Sequence, residues 1–168
     1  MFLRPPRPFY LLLVIGCSGL LGYGYYAQFY LGLEPCPLCI FQRIAYMGVI
    51  AVSLAALIHG PTNIGLRIYS GLVTFIALVG GGIAGYQVRL QYLPEDELPE
   101  CGPGLDYMLD VFPLTDVIRM AFTGSGECAE VVWTFLGLSM PEWSLICFTC
   151  IALAGGVHMV RKKVVWKF

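Results

Sequence analysis

The run Cys36-Pro37-Leu38-Cys39-Ile40-Phe41-Gln42-Arg43, which continues over 44–58 without another charge, decides the fold of this chain. From about 40 to 58 it is long enough, at about 1.5 Å per residue, to cross roughly 30 Å of hydrocarbon. Its one cation, Arg43, lies close to one end. Three other stretches have the same character: about 9–29 with no charge at all, about 66–86 with Arg67 at its start, and about 143–160. Lipid offers backbone N–H and C=O groups no partners, so all four are expected to be helices. Gly80, Gly81 and Gly82 would weaken a helix in water, but in a membrane they allow neighbouring helices to approach closely.

The composition agrees. Of 168 residues, 58% are apolar and only 12% charged, against roughly 45–50% and 25% for an ordinary soluble domain. The mean hydropathy is +0.74. A net charge of −1 offers no basic footprint for a nucleic-acid backbone, so nucleic-acid partners are set aside and the lipid bilayer is the expected surroundings. No repeat, low-complexity tract or linker interrupts the chain, which reads as one integral-membrane domain over 1–168.

Charge placement orients the spans. Arg4, Arg7, Arg67, Arg161, Lys162, Lys163 and Lys167 fall at the two ends and in the turn between the second and third spans. Lys and Arg favour the cytoplasmic side, which predicts that both termini are cytoplasmic. Every acidic residue falls on the other side, with Arg43, Arg89 and Arg119. Two loops then face outward, a short one near 30–38 and a long one over about 89–142. A lipoprotein-like cleavage box at Val14-Ile15-Gly16-Cys17 competes with this reading. The apolar run continues well past Cys17, however, as an uncleaved span should.

The long loop has features of its own. Residues 93–99 form an acidic, proline-bounded stretch expected to be extended. Thr115 can cap a short interfacial helix whose Val117, Ile118, Ala121 and Phe122 share one face. Gly124-Ser125-Gly126 supplies a hinge just before Cys128. Tyr30 and Trp143 suit aromatic-belt positions, and His59 and His158 fall at the cytoplasmic interface.

The seven cysteines carry the chemistry. Cys36-Pro37-Leu38-Cys39 sits where the chain enters the second helix. Pro37 suits the first helical turn, which puts Cys36 near the N-cap, where unsatisfied N–H groups and the helix dipole favour a thiolate. Arg43 follows Cys39 by four positions and shares its helix face. A cation one turn inside a membrane is costly, so Arg43 is expected to stabilise a thiolate at Cys39 or an anionic ligand beside it, rather than only snorkel to the interface. Cys101 and Cys128, in the long loop, are expected to pair in an oxidising compartment. Two such pairs can pass electrons between them, whereas one alone would read as a staple. Cys147, Cys150 and Cys17 lie inside spans and read as packing residues. A zinc site from Cys36, Cys39, Cys147 and Cys150 has the ligand count but no polar support, and no metal site is expected.

Beyond the eight-residue run at 36–43, the chain contains Cys101-Gly102-Pro103-Gly104-Leu105-Asp106-Tyr107-Met108, then Gly124-Ser125-Gly126-Glu127-Cys128-Ala129-Glu130, then a block from Trp133 to Trp143. This ordered set resembles the disulfide-bond formation protein B (DsbB) family, the bacterial inner-membrane thiol:quinone oxidoreductases, over nearly the whole chain. The resemblance implies an all-α bundle of four transmembrane helices with a short and a long periplasmic loop. It implies that a reduced periplasmic DsbA-like thioredoxin-fold partner attacks Cys101 of a Cys101–Cys128 disulfide. Electrons would pass to Cys36–Cys39, with Cys36 exchanging with the loop cysteines. Cys39 would face a bound ubiquinone or menaquinone drawn from the membrane pool, and Arg43 would support that quinone. Gln87 stands where many relatives carry histidine; it hydrogen-bonds but takes no proton at working pH, and is a further candidate for lining the quinone site. Two other readings stand beside this one. A vitamin K epoxide reductase-like enzyme would use Cys147 and Cys150, and a four-span scaffold, tetraspanin-like in outline, would carry inert staples.

Overall fold

The computed structural model describes residues 7–62, 64–94 and 128–160. Four helices are long and apolar enough to cross a membrane: α1 (Arg7–Tyr30), α2 (Pro37–His59), α3 (Ile64–Gln91) and α4 (Met140–Val160). The four-helix membrane fold expected from the apolar runs is therefore the fold observed. Each helix extends beyond its apolar run, because intrahelical hydrogen bonding continues past the hydrocarbon until a cap ends it. At α2 the limits are explicit. Cys36 is the N-cap in extended conformation, Pro37 opens the helix, and Gly60, at φ 58°, closes it with its N–H on the Ala56 carbonyl.

A two-stranded hairpin, β1 (Thr134–Phe135) and β2 (Leu138–Ser139), precedes α4. Leu136 and Gly137 both have positive φ, 54° and 81°, the backbone handedness that lets a two-residue turn join twisted antiparallel strands. Ser139 then starts α4. Its backbone N–H donates to the Glu142 carboxylate at 2.6 Å, and its hydroxyl donates to Gln91 Oε1 on α3 at 2.8 Å. Tyr92 donates to the same carboxylate at 2.9 Å, so one acidic side chain ties the hairpin to the ends of α3 and α4.

The helices pack in chain order, α1 on α2, α2 on α3, and α3 most extensively on α4. The main core runs between them, with Tyr10, Leu13, Cys17, Tyr46, Val49, Val73 and Phe148 at its centre. Large apolar side chains such as Leu12, Ile15, Ile58, Phe75 and Leu153 stand exposed on the outer surface, as lipid-facing positions should. A second cluster at the N-terminal end of α2 contains Cys36, Leu38, Leu90 and Cys128, with Cys39, Ile83 and Tyr86 against it. Cys101, residues 95–99 of the acidic stretch, the helix expected after Thr115, the 124–126 hinge and the basic residues at 161–167 all lie outside the described residues.

Candidate functional site

Three sulfurs meet in the second cluster. Cys36 Sγ lies 2.9 Å from Cys39 Sγ, and Cys128 also comes within hydrogen-bonding reach of Cys36. Cys36 and Cys128 are buried, while Cys39 is half-buried. One helical turn separates Cys36 from Cys39, and the chain following the long loop delivers Cys128. The position at the start of α2 suggests a thiolate at Cys36, yet its surroundings act the other way. Hydrogen bonding with Cys128, then with Cys39, and then burial hold the Cys36 thiol well above its ordinary value. Dipole stabilisation at an N-terminus is modest, and here it is outweighed by crowding with neighbouring sulfurs.

Cys39 also borders a cavity of about 410 Å³, within the size range of small-molecule sites. Leu20, Leu21, Tyr23, Gly24 and Ala27 form its α1 wall, and Cys39, Gln42, Arg43 and Tyr46 its α2 wall. Met140, Pro141, Trp143, Ser144 and Cys147 of α4 close the far side, with Trp133 and Phe135 above. The aromatic groups are mutually supported: Tyr23 and Trp133 are 5.5 Å apart, Trp133 stacks on Phe135 at 6.0 Å, and Trp143 Nε1 donates to the Phe135 carbonyl at 3.0 Å.

Arg43 is held in the cavity wall by α1. Its guanidinium donates to Gln28 Oε1 and to the Gly24 carbonyl, and it lies 5.0 Å from the centre of the Tyr25 ring. Gln28 and Gly24 thus supply the acceptors that make a cation tolerable at this depth. Gln87 is placed differently. It contributes nothing to the large cavity among the described residues, and instead borders a smaller one with Cys36, Cys39, Trp133 and Ser139. Its amide contacts both sulfurs of the CxxC pair and the Gln42 side chain.

Cys147 borders the large cavity, but Cys150 is exposed on the outer surface of α4. Cys17 is buried in the main core. Among the described residues no cluster of His, Cys, Asp and Glu is arranged to hold a metal. Sequence reading overlooked Gln28, Gln42 and the Ser139–Glu142 cap. Only the last had a local signal, Ser139-Met140-Pro141-Glu142 before an apolar run, which is a capping-box pattern.

Fold and site together define a four-helix membrane protein in which a cluster of cysteines abuts an apolar cavity. The family model described as Disulfide bond formation protein DsbB matches residues 6–158. A Disulfide bond formation protein B of Methylococcus capsulatus is 53% identical over 148 residues, 88% of this chain and 90% of the relative. Those of Azoarcus sp. (strain BH72) and Hahella chejuensis are each 49% identical, covering 89% and 93% of this chain and 90% and 94% of their own. The chain belongs to the disulfide bond formation protein B family.

Proposed function

We propose that the chain is a protein-dithiol:quinone oxidoreductase of the bacterial inner membrane, with both termini cytoplasmic. It reoxidises a periplasmic DsbA-like thioredoxin-fold protein and so sustains disulfide formation in exported proteins. One observation carries this reading. Cys36 contacts both Cys39 and Cys128, while Cys39 borders an apolar cavity that Arg43 also lines.

The exchange sequence balances in thiols and electrons. A partner thiolate attacks Cys101 of a Cys101–Cys128 disulfide, forming a mixed disulfide and releasing Cys128. Cys128 attacks Cys36 of a Cys36–Cys39 disulfide and releases Cys39. The partner's second thiol displaces Cys101, and Cys101 attacks Cys128, restoring the loop disulfide and freeing Cys36. The Cys36–Cys39 dithiol then gives two electrons and two protons to the acceptor and closes again as a disulfide. A lipid-soluble quinone, ubiquinone or menaquinone, supplies the high-potential acceptor that a strongly oxidising thioredoxin-fold donor requires. The cavity fits its head group in size and apolarity, and Arg43 provides positive charge where negative charge develops on reduction.

The test is quinone reduction by purified protein in detergent, driven by a reduced thioredoxin-fold dithiol. Wild type turns over, Cys39→Ser and Cys101→Ser do not, and Cys150→Ser matches wild type. Turnover that survives Cys39→Ser but requires Cys150 would move the active pair to α4. No turnover by folded protein with either quinone would favour an inert scaffold.

A further inference from the structure

We propose that Gln87 is a catalytic residue of the thiol half of the reaction: its amide makes the Cys36–Cys39 pair more oxidising, and Gln42 is the positioning residue that aims it. This rests on the reading that Cys36–Cys39 cycles between disulfide and dithiol.

Gln87 and Gln42 are 3% and 5% exposed, so their amides must find partners within the protein. Gln42 Nε2 donates to Gln87 Oε1 at 2.7 Å, and Gln87 Nε2 donates to Cys36 Sγ at 3.2 Å and to Cys39 Sγ at 3.3 Å. The donors therefore run one way, from the Gln42 amide through the Gln87 amide to sulfur. By occupying the carbonyl end of Gln87, Gln42 fixes which end faces the pair. Hydrogen bonds in such a chain also polarise one another.

The consequence follows from what sulfur accepts. A disulfide sulfur is a poor acceptor, a thiol sulfur a weak one, and a thiolate a charge-assisted one. The two Gln87 donors therefore stabilise the reduced pair more than the oxidised pair, and a contact that favours one state shifts the equilibrium toward it. The carbonyl end serves the protonated form as well, since Cys39 Sγ lies 3.7 Å from Gln87 Oε1, within reach for an S–H donor. An amide does this without titrating at working pH.

The experiment uses the full-length chain with Cys101→Ala and Cys128→Ala, leaving the Cys36–Cys39 pair besides the cysteines of α1 and α4. The Cys36–Cys39 disulfide is equilibrated with dithiothreitol. Two electrons and two protons pass to the pair as the reagent closes to its cyclic disulfide, and the pair is quantified by alkylation and peptide mass. Gln87→Met keeps the side chain's length and removes both donors. It is expected to lower the equilibrium constant for reduction at least tenfold, a shift of about 30 mV. Gln42→Met is expected to lower it by a smaller factor, and provides the reading if Gln87→Met fails to fold. Because neither quinone nor partner protein enters this measurement, it stands whatever becomes of the proposed electron acceptor. In otherwise wild-type protein the KM for quinone is expected to be unchanged by Gln87→Met. An equilibrium constant equal to wild type in both variants would overturn the proposal, and with a raised quinone KM would assign Gln87 to the quinone site instead.

Discussion

Cys36 contacts two other sulfurs, and hydrogen bonding with them together with burial raises its thiol above the ordinary value. In the fully reduced chain, iodoacetamide at neutral pH is expected to modify Cys36 at least tenfold more slowly than an unhindered cysteine. Burial alone would slow the reaction equally at every pH. A raised thiol makes the rate keep climbing above pH 9, where an ordinary thiol levels off, and timed peptide mass spectrometry across pH separates the two. Arg43 poses the complementary problem, a permanent cation needing acceptors. Hydrogen bonds to charged groups contribute roughly 1.5–3 kcal/mol, and Gln28 supplies one of the two that α1 gives Arg43. Gln28→Leu is expected to lower the thermal midpoint in detergent and, on the proposed function, to raise the quinone KM about tenfold. Gln28→Glu keeps an acceptor and is expected to stay near wild type. The CxxC pair and Arg43 were legible in sequence because their relation is local, four positions along one helix. Gln28, Gln42 and Gln87 meet their partners from other helices, and apolar runs say nothing of how one helix is rotated against the next.

The α3–α4 interface depends on a missing side chain. A Cβ at Gly80 would lie 2.5 Å from Phe148 Cζ, and Phe148 has no room to yield: it is fully buried and stacks on Tyr46 with ring centres 4.2 Å apart. Tyr46 in turn lines the large cavity, so a displaced Phe148 reaches the site. Gly80→Ala is expected to destabilise by about 1–3 kcal/mol, the usual cost of overpacking, read by denaturant titration of the detergent-solubilised protein. Gly82→Ala is the control, since nothing lies within 4 Å of its added methyl, and it is expected to leave stability unchanged. Hydropathy located all four helices, which continue past the apolar runs. The third run was expected to stop near Tyr86, whereas α3 continues to Gln91, and that extra turn carries Gln87 and Leu90 alongside the sulfurs. Apolarity registers where hydrocarbon ends, while the helix ends where its backbone groups find other partners. The hairpin before α4 escaped for a different reason: two residues per strand show no alternation to detect.

At the scale of the whole bundle, close packing follows the chain, and α1 and α4 are not among the closely packed pairs. Phe9 stacks on His158 at 4.1 Å, and the large cavity is lined by residues of both helices. Its walls come from both helices and from α2, with no contribution from α3 among the described residues. On the proposed function, the arrangement would separate two chemistries on either side of α2: thiol exchange beside α3 and Cys128, and quinone binding between α1 and α4, with Cys39 bordering both cavities. Leu20 lines the cavity and is 40% exposed, so it stands on the lipid side of that opening. Leu20→Trp places a large rigid ring in the space a quinone head group would occupy and leaves every cysteine in place. Quinone affinity, read by titration of the purified protein, is expected to fall at least tenfold, about 1.4 kcal/mol. The dithiothreitol equilibrium of the Cys36–Cys39 pair is expected to be unchanged. If affinity were unaltered, the acceptor would have to reach Cys39 by another route, and the division of labour across α2 would be lost. If both quantities moved, the two sides would be mechanically coupled through α2, and Gln42, which lines the cavity and donates to Gln87, is the residue placed to transmit it.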